Sequence, residues 1–232
     1  MRALILHPLH GSVAKPHDFK EFRREALAFA ATIREQGGEA SVHAFDNSQQ
    51  NKLARRREVE GYFSPGPWDA VAFFCHGLKN SIQTGHDMAT VDRLAQVIME
   101  HAATGYLRVE LYACDAARDL DASEKDDVRD AVGGDGGFAD VLRDRLTGRG
   151  VEGHVDAHAI DAHTTWNPYV RRFRMGESAG AEWLVPPTAP PGSTKEQRDA
   201  VRHKWSRWRA ALRGPMRFRF PWLTPAEIDA AL

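Results

Sequence analysis

The chain has 232 residues, 42% of them hydrophobic and 27% charged, with a formal net charge of −1 and two cysteines. That length buries a substantial core without staples, and two cysteines exclude a secreted disulfide framework. The charge is uneven: from Lys195 to Arg219 nine Lys/Arg stand against Glu196 and Asp199, so that stretch carries +7 and the rest of the chain −8.

The opening "MRALILHPLH" is too short an apolar run for a signal peptide or a membrane span, so the expectation is a cytoplasmic protein in a reducing compartment. Residues 2–7 read as a short buried strand. A turn-rich stretch leads to a helix whose start is signalled by Asp18 with Glu21 three positions on. Phe19, Phe22, Ala26, Phe29 and Ile33 repeat along it at helical spacing, and Gly37 and Gly38 end it. Residues 40–45 form an alternating strand, and the basic segment 46–60 is a helix or a surface loop.

The run "DAVAFFC" at 69–75 is apolar on both faces, as in a central strand covered by helices, and it stops at Cys75, His76 and Gly77. A polar connection and a helix from about Thr90, striped by Val91, Leu94, Val97, Ile98 and Ala102, lead to the strand "LRVELYA" at 107–113, which stops at Cys114. An acidic, Gly-rich stretch from Asp115 to Gly137 follows. Then come a helix through Phe138, Val141, Leu142 and Leu146, and strands at 153–159 and 170–175. Strands alternating with helices predict an α/β domain with a mostly parallel central sheet between helical layers over residues 1–185. A Pro-rich linker at 186–194 and a basic amphipathic C-terminal extension at 195–232 complete the chain.

In such sheets ligands bind outside the carboxyl ends of the strands. Strands three and four are joined by one helical crossover and are expected to be neighbours roughly 4.8 Å apart, which puts the imidazole of His76 beside the thiol of Cys114. A neighbouring imidazole activates a thiol as a nucleophile, and the Gly77 N–H is a donor able to bind a developing oxyanion. Cys75 points to the opposite face and reads as packing.

"VAFFCHG" and "VELYACDAA", an apolar strand ending in His-Gly and another ending in Ala-Cys, resemble the caspase-like cysteine peptidases, the group of caspases, gingipains, legumains and bacterial CHAT proteases. The later "GGDGGFADVLRDRL" is similar to the Gly-rich helix start of CHAT proteins. The resemblance implies a caspase-like three-layer sandwich and a hydrolase acting on protein or peptide substrates without a cofactor. In it Cys114 is the nucleophile, His76 the general acid/base and the Gly77 N–H an oxyanion donor. It also implies that Tyr112, two positions before the nucleophile, shapes the substrate pocket, and that the 115–137 stretch is a candidate for self-cleavage.

Other residues at the same edge are candidate substrate contacts: Asp115, His7 after the first strand, and Asp156 and Asp161, whose charge would select a basic side chain. Two alternatives stand beside the peptidase. One is a catalytically degenerate module that binds a regulatory protein partner. The other is a metal-dependent hydrolase using His154, Asp156 and His158, which alternate on one strand face. In the extension, Val201, Trp205, Trp208 and Leu212 form one apolar stripe among basic residues, suited to nucleic acid, a membrane surface, a partner, or packing on the acidic remainder of the chain.

Overall fold

The structure, a computed structural model, describes residues 1–10, 22–48, 50–121, 135–148, 150–159, 167, 169–177, 182–183, 192–200 and 216–231. In chain order the elements are β1 (Arg2–Pro8), α1 (Arg23–Glu35), β2 (Glu39–Phe45), α2 (Lys52–Gly61), β3 (Ala70–Phe74), β4 (Gly77–Leu78), β5 (Ser81–Ile82), α3 (Val91–Glu100), β6 (Tyr106–Tyr112), α4 (Phe138–Thr147), β7 (Glu152–His158), β8 (Val170–Arg174), β9 (Glu182–Trp183) and α5 (Pro225–Ala231). The α/β class and the mostly parallel sheet read from the sequence are what the chain adopts.

Seven strands form one sheet in the order β2-β1-β3-β6-β7-β8-β9. The first five run parallel, and β8 and the two-residue β9 return antiparallel. Every residue of β3 is buried, as its two-faced apolar sequence demands. Strand alternation divides the interior into two layers. Leu4, Leu6, Val71, Phe73, Cys75, Val109 and Leu111 face a core closed by α2, α3 and α4, while Ala3, Ile5, Ala72, Phe74 and Tyr112 face a second core closed by α1.

The helices form where the apolar spacing placed them. Buried Ala26, Phe29, Ala30 and Ile33 make the inner stripe of α1, and Val91, Leu94, Ala95 and Ile98 that of α3. The segment left open as helix or loop contains α2, started by Asn51, whose Oδ1 accepts from the N–H groups of Leu53 (3.0 Å) and Ala54 (3.3 Å). α1 begins later than the Asp18–Glu21 signal suggests, at Arg23, because Phe22 sits in the left-handed region (φ 67°) and cannot continue a helix backwards. Asp18 and Glu21 themselves lie outside the described residues.

β7 and β8 pair antiparallel, and among the described residues no crossover helix lies between them. Part of the sheet face toward α1 is covered by the C-terminal segment: Met216, Phe220 and Ile228 are buried in the second core, with Phe218, Trp222 and Leu223 packed against it. Upstream, Thr194 starts the helical residues 195–200 with a capping box: its N–H donates to Gln197 Oε1 (2.8 Å) and its hydroxyl accepts from Gln197 N–H (3.3 Å). The Val201, Trp205, Trp208 and Leu212 stripe lies outside the described residues. Among the described residues, no helix is long and apolar enough to cross a membrane.

Candidate active site

β3 and β6 pair in register with Phe74 opposite Tyr112, and Cys75 N–H still donates to Tyr112 O (3.3 Å) beyond the end of β3. His76 and Cys114 each stand two residues past that last pair, on the loops that leave the two strands, while Cys75 is buried in the core closed by α2, α3 and α4. His76, Gly77, Cys114 and Asp115 line one cavity of about 520 Å³, walled on its far side by Lys52 and Arg55 of α2 and by Gln83 and His86.

Each half of this arrangement is held by backbone geometry. After His76 the chain makes the small β4–β5 hairpin, with Gly77 opposite Ile82 and Leu78 opposite Ser81. Gln83 N–H donates to His76 O (2.9 Å), and Gln83 Oε1 accepts from His76 N–H (3.2 Å), so one glutamine clamps both backbone groups of the histidine. By antiparallel alternation Gly77 then falls in a non-hydrogen-bonded pair, its N–H directed away from the hairpin partner. Arg55 in turn donates to Gln83 O at 2.7 Å, fixing the clamp to α2. The imidazole of His76 meets the ring of Phe22 edge-on, centroids 5.0 Å apart. The left-handed backbone of Phe22, costly for a bulky residue, thus occurs where its side chain buttresses the site.

Past Cys114, Asp115 adopts a left-handed conformation (φ 58°), which Asp tolerates better than most residues and which turns the chain sharply off the strand. Its carboxylate lies 3.5 Å from Arg118. The loop is then tied on three sides. Ala117 N–H donates to His158 O (2.9 Å), the buried Arg171 donates to Ala117 O (2.9 Å), and Ala139 N–H in the first turn of α4 donates to Ala116 O (2.9 Å). Phe138 N–H, at the start of the same helix, donates to Lys79 O of the hairpin (2.9 Å). The N-terminus of α4 therefore satisfies its own leading amides by gripping both loops that carry the site.

The two cysteines differ sharply. Cys114 is partly accessible, while Cys75 is fully buried and burial pushes its thiol up to about 12, the N–H groups of Gln83 and Thr84 opposing only in part. Cys75 is a protonated core residue at neutral pH.

Among the described residues, the other candidates Tyr112, His7 and Asp156 do not line this cavity. Tyr112 is buried under the C-terminal segment, where it stacks on Phe74 (3.9 Å between centroids) and donates from its hydroxyl to Arg219 O (2.5 Å). His7 is buried with Nδ1 2.8 Å from Pro8 O. Asp156 lies in mid-strand, accepting from Arg172 at 2.9 and 2.7 Å. Burial raises that carboxyl, but the arginine and nearby His154 outweigh it and hold it below its ordinary range. Of the alternating set on β7, His154 and Asp156 approach one another (3.7 Å), while His158 bonds Asn167 and sits among Tyr112 and Phe220. Asp161 and most of the 115–137 stretch lie outside the described residues. Gln83, Phe22, Arg171 and Glu110 were not read from the sequence as site residues. Glu110 and Arg171 were visible there as charges inside apolar strands.

No family model matches the chain, and no curated protein or solved structure matches it.

Proposed function

We propose that the chain is a cysteine peptidase of the caspase-like kind, working through Cys114 and His76. The observation that carries this reading is that His76, Gly77 and Cys114 line one cavity just past the carboxyl ends of two adjacent parallel strands, whose last pair is Phe74 with Tyr112. Cys114 gives its thiol proton to His76, and the resulting thiolate attacks the carbonyl carbon of a peptide bond. The Gly77 N–H, turned away from its hairpin partner, receives the oxyanion of the tetrahedral intermediate. His76 delivers the proton that lets the amine leave, and water then hydrolyses the thioester, returning the proton to the site. The Gln83 clamp on its backbone and the edge of Phe22 hold the histidine in place. This reading agrees with the resemblance of "VAFFCHG" and "VELYACDAA" to that family.

An electrophilic peptidyl probe tests it: wild type is labelled, Cys114→Ala is not, and hydrolysis of a mixed peptide library disappears in both Cys114→Ala and His76→Ala. Folded protein that neither takes the probe nor cleaves the library is a binding module instead. Activity removed by a chelator but retained in Cys114→Ala belongs to a metal-dependent hydrolase.

A further inference from the structure

On the sheet face toward the C-terminal segment, four residues before Cys114 along β6 and so about 13 Å from it, lies a second polar cluster in a cavity of about 390 Å³. It unites Glu110 of β6 with His154 and Asp156 of β7, all buried. Glu110 is directly opposite Asp156 in the parallel register. We propose that Glu110, His154 and Asp156 form a binding site for a divalent cation of the zinc class.

Three donor atoms of these side chains converge within 4.8 Å of one another. His154 Nε2 stands 3.8 Å from Glu110 Oε1 and 3.7 Å from Asp156 Oδ2. Ligands about 2.1 Å from a zinc ion stand about 3.4 Å apart in a tetrahedral shell, so modest side-chain rotations close the set. The separations are too long for hydrogen bonds, and His154 Nε2, though buried, has no hydrogen-bond partner among the described residues.

Each of the three side chains is meanwhile held from its far side. Tyr106 Oη lies 2.9 Å from His154 Nδ1, Arg172 Nε donates to Asp156 Oδ1 (2.9 Å), and Arg219 donates to Glu110 Oε2. In the tautomer whose Nδ1–H donates to the tyrosine oxygen, the lone pair of Nε2 faces two carboxylate oxygens, an arrangement of acceptors that a cation between them would satisfy. Outer partners on every ligand are the usual support of a metal site. The two arginines already balance the two carboxylates, so a bound cation leaves the cluster net positive. That weakens the affinity and favours a water-derived hydroxide or other small anion from the cavity in the open position. Lying in mid-sheet, the cation would pin β6 to β7, independently of any chemistry at Cys114.

Zinc titration of untagged, metal-stripped full-length protein by calorimetry decides the matter. One equivalent binds in wild type and in Cys114→Ala. Affinity falls at least tenfold in His154→Gln and about tenfold in Tyr106→Phe, which alters a half-exposed side chain and spares the ligands. Absence of saturable binding overturns the proposal, as does affinity unchanged in Tyr106→Phe or binding lost in Cys114→Ala, which would place the ion at the other cavity. Circular dichroism checks that each variant is folded. Should His154→Gln fail that check, Tyr106→Phe alone decides.

Discussion

A β-carbon added to Gly77 would lie 2.5 Å from the carbonyl oxygen of Cys114 and 2.8 Å from the β-carbon of Ala113. The residue after His76 is thus packed backbone to backbone against the residue bearing the proposed nucleophile, and no β-carbon fits between them. Gly77→Ala must spread the ends of β3 and β6. The expected outcome is a loss of about 1–3 kcal/mol in stability, as for other overpacked sites, with a fall in probe labelling of at least 100-fold. Urea denaturation and labelling rates measure the two. Labelling at the wild-type rate would show that the close approach does not set the geometry of Cys114.

The cysteines separate by burial. In native protein a thiol reagent should react quickly with one equivalent, lost in Cys114→Ala, while Cys75 reacts only after unfolding, since burial holds its thiol near 12. Cys75→Ala should leave the fast reaction intact and cost about 1–2 kcal/mol by removing a buried sulfur from the core. Two fast-reacting thiols in native protein would contradict this assignment.

Much of this was legible in the sequence because it rests on strand order and parity. The apolar runs ending at Cys75 and at Ala113, separated by one helix, were enough to make β3 and β6 neighbours and to set His76 beside Cys114. Parity alone sent Cys75 into the opposite core. What the sequence did not reveal depends on contacts between distant segments. The covering of Tyr112 follows from Arg219 and Trp222, more than 100 residues away in sequence, packing onto it. Gln83 looks like any polar loop residue until the β4–β5 hairpin brings it back onto His76. The Asp18 start signal lies outside the described residues, and α1 begins at Arg23, after Phe22 in the left-handed region.

The Gln83 clamp makes a prediction that distinguishes positioning from folding. Gln83→Ala removes the side-chain acceptor of the His76 N–H but not the backbone bond to His76 O. Stability should fall by about 1 kcal/mol, while turnover falls at least tenfold with little change in KM, because the imidazole is displaced rather than the substrate. Gln83→Glu restores an acceptor oxygen and should recover most of the turnover. Equal loss in both variants would argue that the glutamine serves only the loop.

The ion pair of Arg219 with Glu110 is closed from solvent on both sides, and Arg219 also donates to Leu111 O at 2.9 Å. Arg219→Ala leaves Glu110 buried with one partner fewer and should cost about 3–5 kcal/mol, whereas the double change Arg219→Met with Glu110→Gln should recover much of that loss. Chemical denaturation of the single and double variants gives the coupling directly. A cost below about 1 kcal/mol for Arg219→Ala would mean that the C-terminal segment is not anchored through this pair.

The buried histidines fix the pH response of the fold. Burial holds His158 well below the ordinary histidine value of 6.5, with the charge of Arg219 acting in the same direction and bonds to Asn167 opposing. His7 and His86 are lowered as well, each first by burial. A histidine with a depressed folded value binds fewer protons folded than unfolded at a pH between its two values. Its contribution is therefore fully present above about pH 6.5 and is lost as the pH falls below it. Each unit of depression is worth about 1.4 kcal/mol once the pH is below both values. The urea midpoint should stay level from pH 8 to 7 and decline steadily from pH 6.5 to 5. His158→Gln, which keeps a polar partner for Asn167 but carries no titrating proton, should flatten that decline. A decline of unchanged slope in His158→Gln would assign the acid sensitivity to other groups.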